Sequence, residues 1–167
     1  VVHMVGLQSR SSPVLNHARE LIAQGEIGAV RSAALTHSSD WLSTVFPGTE
    51  YLQDRSSGAH FLSIPGGHSI DALCWMLGEF GSLTSLVETS LKDLSMFGTG
   101  APLQRTSADQ ILVAGLLESG VVASIRLSGA PSPGTGVRLE ISGDKGDFAI
   151  TAAPGARGIQ MADLTLY

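Results

Sequence analysis

Residues 57–80 read SGAHFLSIPGGHSIDALCWMLGEF, and they are helical in a chain otherwise written in strands and turns. Ile64, Ala72 and Trp75 recur at helical spacing, with Leu73, Met76 and Leu77 beside them, so any sheet this chain forms has to accommodate an apolar helix here. His68 and Asp71 stand three residues apart and project from one side of it. Pro65, Gly66 and Gly67 come directly before them. A glycine inside a helix costs roughly 1 kcal/mol relative to alanine. The glycine pair therefore marks either a helix that starts later or a place where another group approaches the backbone. From spacing alone, His68 reads either as a packed core histidine or as a group that moves protons near neutral pH.

Around this helix the chain alternates short elements with turns. Residues 2–8 read as a strand, with Arg10 just past its end. Ser12 then caps a helix whose first position is Pro13 and whose stripe is Val14, Ala18, Leu21 and Ile22, closed by Gly25. A strand follows at residues 30–38. Residues 39–57 form a long loop carrying Asp40, Trp41, Phe46, Tyr51 and Asp54; its aromatics predict order and either pin it to the core or line a pocket. Residues 82–91 return as a strand. Residues 92–105, with Gly98, Gly100 and Pro102, read as irregular, either the segment with the strongest case for disorder or equally a lid or an interface loop. Strands at residues 108–117 and 121–127 flank the hairpin turn Glu118-Ser119-Gly120. Further strands are expected at residues 137–141, 147–151 and 159–167, with turns at 129–136, 143–146 and 154–158.

Two helices early and about seven strands, mostly late, make an α+β fold with an open, mixed, largely antiparallel sheet and both helices on one face. In residues 111–117 both alternating sets are apolar, so the strand is buried on both sides. The face away from the helices then needs a partner, which points to a homodimer through the sheet face, of mixed character because Ser124, Arg126, Arg138 and Glu140 share that side.

Composition narrows the function classes. Charged residues are 15% of the 167, and the formal charge is −5, which argues against a nucleic-acid partner. Cys74 is the single cysteine, so neither an intrachain disulfide nor a cysteine zinc cluster is available. No apolar run is long enough to span a bilayer, and a cytoplasmic location is expected. Both ends begin or stop in mid-pattern, as in one domain cut from a longer chain. There is no GxGxxG, no GxxxxGK[ST] and no GxSxG. His60, His68 and Asp71 lack the HExxH spacing of a metal helix, so no metal is expected.

The pattern Arg10, Pro13, Ala18-Arg19-Glu20-Leu21-Ile22, Gly25 and Ile27-Gly28, followed by Gly66-x-His68-x-Ile70-Asp71 and Trp75-x-Leu77-Gly78, resembles the C-terminal domain of the glucose–fructose oxidoreductase / inositol dehydrogenase family. The Tyr51-Leu52-x-Asp54 loop and the run from Gly66 to Asp71 are most similar to its galactose-repressor-like branch. The resemblance covers essentially the whole chain. It implies a substrate-binding and dimerisation domain of an NAD- or NADP-dependent oxidoreductase that acts on a sugar or polyol. His68 matches the histidine that handles the hydroxyl proton. Asp71, Tyr51, Asp54 and Trp41 are the implied substrate-binding residues, and Gly66, Gly67 and Arg10 the implied cofactor-binding ones. The nucleotide fold and the family's lysine would lie in an N-terminal domain outside this chain. One departure matters: the family's enzymes carry an aspartate four residues before the histidine, and here that position is Ile64. The alternative reading is a repressor-like or sensor domain that binds protein partners.

Overall fold

The computed structural model describes residues 1–131, 136–152 and 156–167. Parts of the turns expected at 129–136 and 154–158 lie outside the described residues. The first helix, α1 (Pro13–Gln24), begins and ends as its sequence dictates. The Ser12 hydroxyl accepts from the Leu15 amide at 3.4 Å, and Gly25 closes the helix at φ +80°, its amide bonding back to the Leu21 and Ile22 carbonyls. The fully buried side chains are Leu15 and Ala18, so the helix is turned slightly from the expected stripe.

Strand β1 (Val30–Ser38) follows, with Ala33, Leu35 and His37 buried on one face. After the two-residue strand β2 (Thr44–Val45) and two short 3-10 turns comes a π turn at Leu62–Gly66, which leads into α2 (Gly67–Leu77). The remaining strands are β3 (Phe80–Glu88), β4 (Asp93–Met96), β5 (Pro102–Gln104), β6 (Gln110–Leu117), β7 (Val122–Ser128), β8 (Val137–Gly143), β9 (Asp147–Ala152) and β10 (Leu164–Leu166). Of the ten described strands, seven form one sheet in the order β10-β9-β8-β1-β7-β6-β3, and β2-β4-β5 form a small second sheet. Among the described residues, only the β1–β7 pairing in the large sheet is parallel. The fold is thus the expected α+β arrangement.

Both helices cover the same face of the large sheet. Leu15, Ala18 and Leu73 meet Leu35, Ile125 and Leu139 in one core, all at most 1% exposed. Fully burying a side chain of this size stabilises by roughly 1.5–3 kcal/mol. The opposite face is open, and the expected two-sided burial of β6 does not occur within one chain. Ile111 and Val113 are buried, but Leu112 and Leu116 are 46% and 47% exposed. Leu86 and Val122, on neighbouring strands of that face, are 65% and 57% exposed.

Three expectations fail for definable reasons. Residues 2–7 are not a strand, because no described strand lies beside them to complete a ladder; Gln8–Ser11 form a 3-10 turn instead. The last strand shrinks to Leu164–Leu166, since residues 159–162 turn to bury Ile159. Residues 92–105 are ordered, as β4 and β5 of the small sheet.

That order comes from a charged pair at zero side-chain exposure, Arg105 and Asp109. The Arg105 guanidinium donates to Asp109 at 3.1 Å, to Gln53 Oε1 at 2.8 Å and to the Trp41 carbonyl at 2.7 Å. Burial alone would push the Asp109 carboxyl up, but the Ser90 and Leu91 amides, the Ser90 hydroxyl and Arg105 together hold it below its ordinary value. One arginine thereby ties the long loop and the small sheet to the edge of the large one. Replacing Arg105 by alanine strands a buried carboxylate and should destabilise by about 3–5 kcal/mol, read as a lowered urea midpoint at an unchanged denaturant slope.

Candidate functional site

The centre of the site is the junction between the π turn and α2. Pro65 has no amide hydrogen to give to an α-helical ladder. The chain widens instead, and the Gly66 amide donates to the Phe61 carbonyl five residues back, at 2.9 Å. The two glycines have different roles. A Cβ on Gly66 would lie 3.2 Å from Leu127 Cδ1 and 3.3 Å from the Phe61 carbonyl oxygen, whereas a Cβ on Gly67 would meet nothing within 4 Å. Gly66 lets the turn settle against β7, and Gly67 leaves open space beside His68.

His68 is half-buried. Burial lowers its pKa, and the Asp71 charge one turn later opposes that. Its Nδ1 is buried without a hydrogen-bond partner among the described residues. Asp71 is already engaged: Arg10 reaches across from the 3-10 turn and donates to both carboxylate oxygens, with Nε at 3.0 Å from one of them. The Arg10 guanidinium also lies 5.0 Å from the centre of the Trp75 ring, and Arg19 lies 4.0 Å from it. Arg10, Asp71, His68, Gly66 and Gly67 therefore come together around the start of α2. Cys74, further along the helix, has its thiol pushed up to about 11, chiefly by burial, which disfavours the thiolate.

The loop residues are placed differently. Trp41 packs its ring 6.2 Å from that of Phe61, donates its amide to the Gly129 carbonyl at 2.9 Å, and gives its own carbonyl to Arg105. The next residue, Leu42, takes up φ +54°, a conformation uncommon outside glycine. Asp54 spends its side chain on the Ser56 amide and hydroxyl and on Thr106, and these bonds hold it below its ordinary pKa. Tyr51 is 55% exposed on a 3-10 turn. Trp41 thus backs the π turn through Phe61, while Asp54 caps a local turn.

A sequence model of the family described as Gal80p, C-terminal domain, matches residues 13–152. The chain belongs to that family. The galactose/lactose metabolism regulatory protein GAL80 of Kluyveromyces lactis is 30% identical over 98% of this chain and 38% of its own length. The chain spans about two fifths of the length of the curated GAL80 relatives it matches. The crystal structure of a super-repressor mutant of Gal80p from Saccharomyces cerevisiae superposes with a TM-score of 0.88 at 24% identity, over 98% of this chain and 45% of that one. A levoglucosan dehydrogenase in complex with NADH and levoglucosan shares the fold at a TM-score of 0.74 and 20% identity, over all of this chain and 47% of that one.

Within this family member, the residue that sequence reasoning missed is His37. It is fully buried, 3.0 Å from the Ser69 hydroxyl through Nδ1 and 3.1 Å from the Ser39 hydroxyl through Nε2. Its signal was its phase: it falls on the inward positions of β1 shared with Ala33 and Leu35. Burial lowers its pKa to about 4. The unfolded chain takes up a proton near 6.5 and the folded one only near 4, so stability is full above pH 6.5 and falls between those values. The loss should reach about 3 kcal/mol, and His37→Gln should flatten that part of the pH–stability curve. A second check separates the glycines: Gly67→Ala should leave stability unchanged or raise it by up to ~1 kcal/mol, whereas Gly66→Ala should lower the melting temperature.

Proposed function

We propose that this chain is the C-terminal domain of a regulatory protein that keeps a dehydrogenase architecture and works by binding protein partners, not by turnover. The observation that carries this reading is the absence, among the described residues, of a free carboxylate beside His68. Ile64, half-exposed, occupies the place where the enzymes of the resembling family carry an aspartate, and Asp71 is committed to Arg10. Among the described residues the His68 Nδ1 has no hydrogen-bond partner, so no acid orients the ring through that atom, which is a poor arrangement for general acid–base work. The curated relatives that match nearly the whole chain are regulators, and this supports the binding reading over the sugar or polyol dehydrogenase expected from sequence.

An NAD or NADP molecule fits this reading as a ligand that signals. Gly67 and His68 offer it an open edge at the first turn of α2. Its phosphates would be held outside this chain, which has no glycine-rich phosphate loop. Homodimerisation through the open sheet face is the proposed quaternary arrangement, with Leu86, Leu112, Leu116 and Val122 at its centre. Among the described residues no helix is long and apolar enough to cross a membrane.

The test is made on the intact protein that carries this chain. Offered a panel of sugars and polyols with NAD or NADP, it should show no dinucleotide reduction, and His68→Ala should leave its association with a protein partner intact. Steady turnover abolished by His68→Ala would sink the regulatory reading and restore the dehydrogenase. Separately, Leu112→Glu should shift the protein from dimer to monomer in sedimentation at micromolar concentration.

A further inference from the structure

We infer that His37 is a positioning residue, which sets through Ser69 and the Pro65 carbonyl how the first turn of α2 presents His68. The inference rests on the reading of His68 as the contact point of a cofactor-facing surface, and the measurements below separate the two.

The hydrogen bonds around His37 have one consistent direction. The Ser69 hydroxyl donates to the Pro65 carbonyl at 2.9 Å. A carbonyl has no proton to give, so the single Ser69 proton is spent there. Ser69 can then only accept from His37, which fixes the ring as the tautomer with its proton on Nδ1, at 3.0 Å. Nε2 is left as an acceptor, and the Ser39 hydroxyl at 3.1 Å must donate to it. The chain of donors thus runs from Ser39 to His37 to Ser69 to the Pro65 carbonyl. It starts where β1 leaves the sheet for the Trp41 loop and ends inside the π turn.

The ring's surroundings leave it little freedom. Phe61 lies 6.1 Å away, centre to centre. On another side stands Gly158, at φ +109°, where a Cβ would come 3.0 Å from the ring's Cε1. One imidazole therefore joins the end of β1, the turn before α2 and the turn before β10.

His68 is the neighbour that depends on this. It follows Gly67, where an added Cβ would meet nothing within 4 Å, and precedes Ser69, which is fully buried. Its Nδ1 has no hydrogen bond of its own among the described residues. The orientation of the His68 ring is then inherited from the backbone of the first turn, and Ser69 is where that backbone is held.

The test follows the His68 ring by NMR in the intact, histidine-labelled protein, with its signal assigned by loss in His68→Gln. His37→Leu removes both links. Ser69→Ala removes the acceptor while keeping the imidazole, and carries the test alone if His37→Leu does not fold. In each, the loosened turn should expose His68 and raise its pKa back towards the ordinary histidine value, since burial is what lowers it. His37→Asn, which keeps a donor near the Nδ1 position, should restore most of the wild-type value. An unchanged His68 titration in Ser69→Ala, or an equal shift in the asparagine and leucine variants, would overturn the positioning role. The affinity for NADH is measured alongside. If His68 shifts while affinity stays the same, His37 positions His68 and it is the cofactor-facing reading that fails.

Discussion

The seating of the π turn on β7 depends on a side chain that is missing. At Gly66 a first side-chain carbon would sit 3.2 Å from Leu127 and 3.3 Å from the Phe61 carbonyl, closer than packed atoms ordinarily tolerate. With glycine there, the turn lies flat on the strand, and Phe61 fills the space beneath it at zero exposure. Phe61 in turn touches both His37 and Trp41. Moving the turn outward would separate the His37–Ser69 pair, open the face on which Trp41 rests and tilt α2. The position of His68 is thus a consequence of close packing several residues away.

The parts of this arrangement that were legible in the sequence are those set by local chemistry. Ser12, Pro13 and Gly25 delimit α1 because capping and proline geometry act within a turn of the chain. The hairpin between β6 and β7 was legible for the same reason, and β1 matched its expected range. The illegible parts depend on contacts between distant residues. Residues 92–105 read as disordered, yet Arg105 bonds to Gln53 and Trp41, which are 52 and 64 positions away. His37 and Ser69 are 32 apart. The resemblance implied a substrate role for Asp71, while its pairing with Arg10, 61 residues earlier, was not visible in the sequence.

The same long-range pairing bears on chemistry. A proton-transfer site keeps its acid and base free of competing partners and tunes each against the other. Here the carboxylate near His68 is already paired: Arg10 holds Asp71, and both Arg10 and Arg19 lie over the Trp75 ring. Such a surface changes little with pH above the range in which His68 titrates. It presents shape, a weakly basic imidazole and the half-exposed Ile64. Recognition can use all three, whereas hydride-transfer chemistry on an alcohol needs a base with somewhere to send its proton.

The open sheet face constrains how two copies can meet. Its side chains are graded across the strands. Leu86, Leu112, Leu116 and Val122 lie at the β3–β6–β7 end, and Arg138 and Glu140, paired with each other, stand on β8. In the proposed dimer, a two-fold axis near β6 sets leucines against leucines. A two-fold axis near β8 would instead take the Arg138–Glu140 pairs of both copies out of water, a desolvation cost that their own pairing within one chain does not remove. The first arrangement leaves Arg138 and Glu140 at a wet rim, where charges cost little. It also carries the exposed strand β3 to the middle of the contact. That strand forms one end of the sheet and has an apolar residue, Leu86, on this face, so the geometry that spares the charges also shields the edge most prone to unwanted strand pairing.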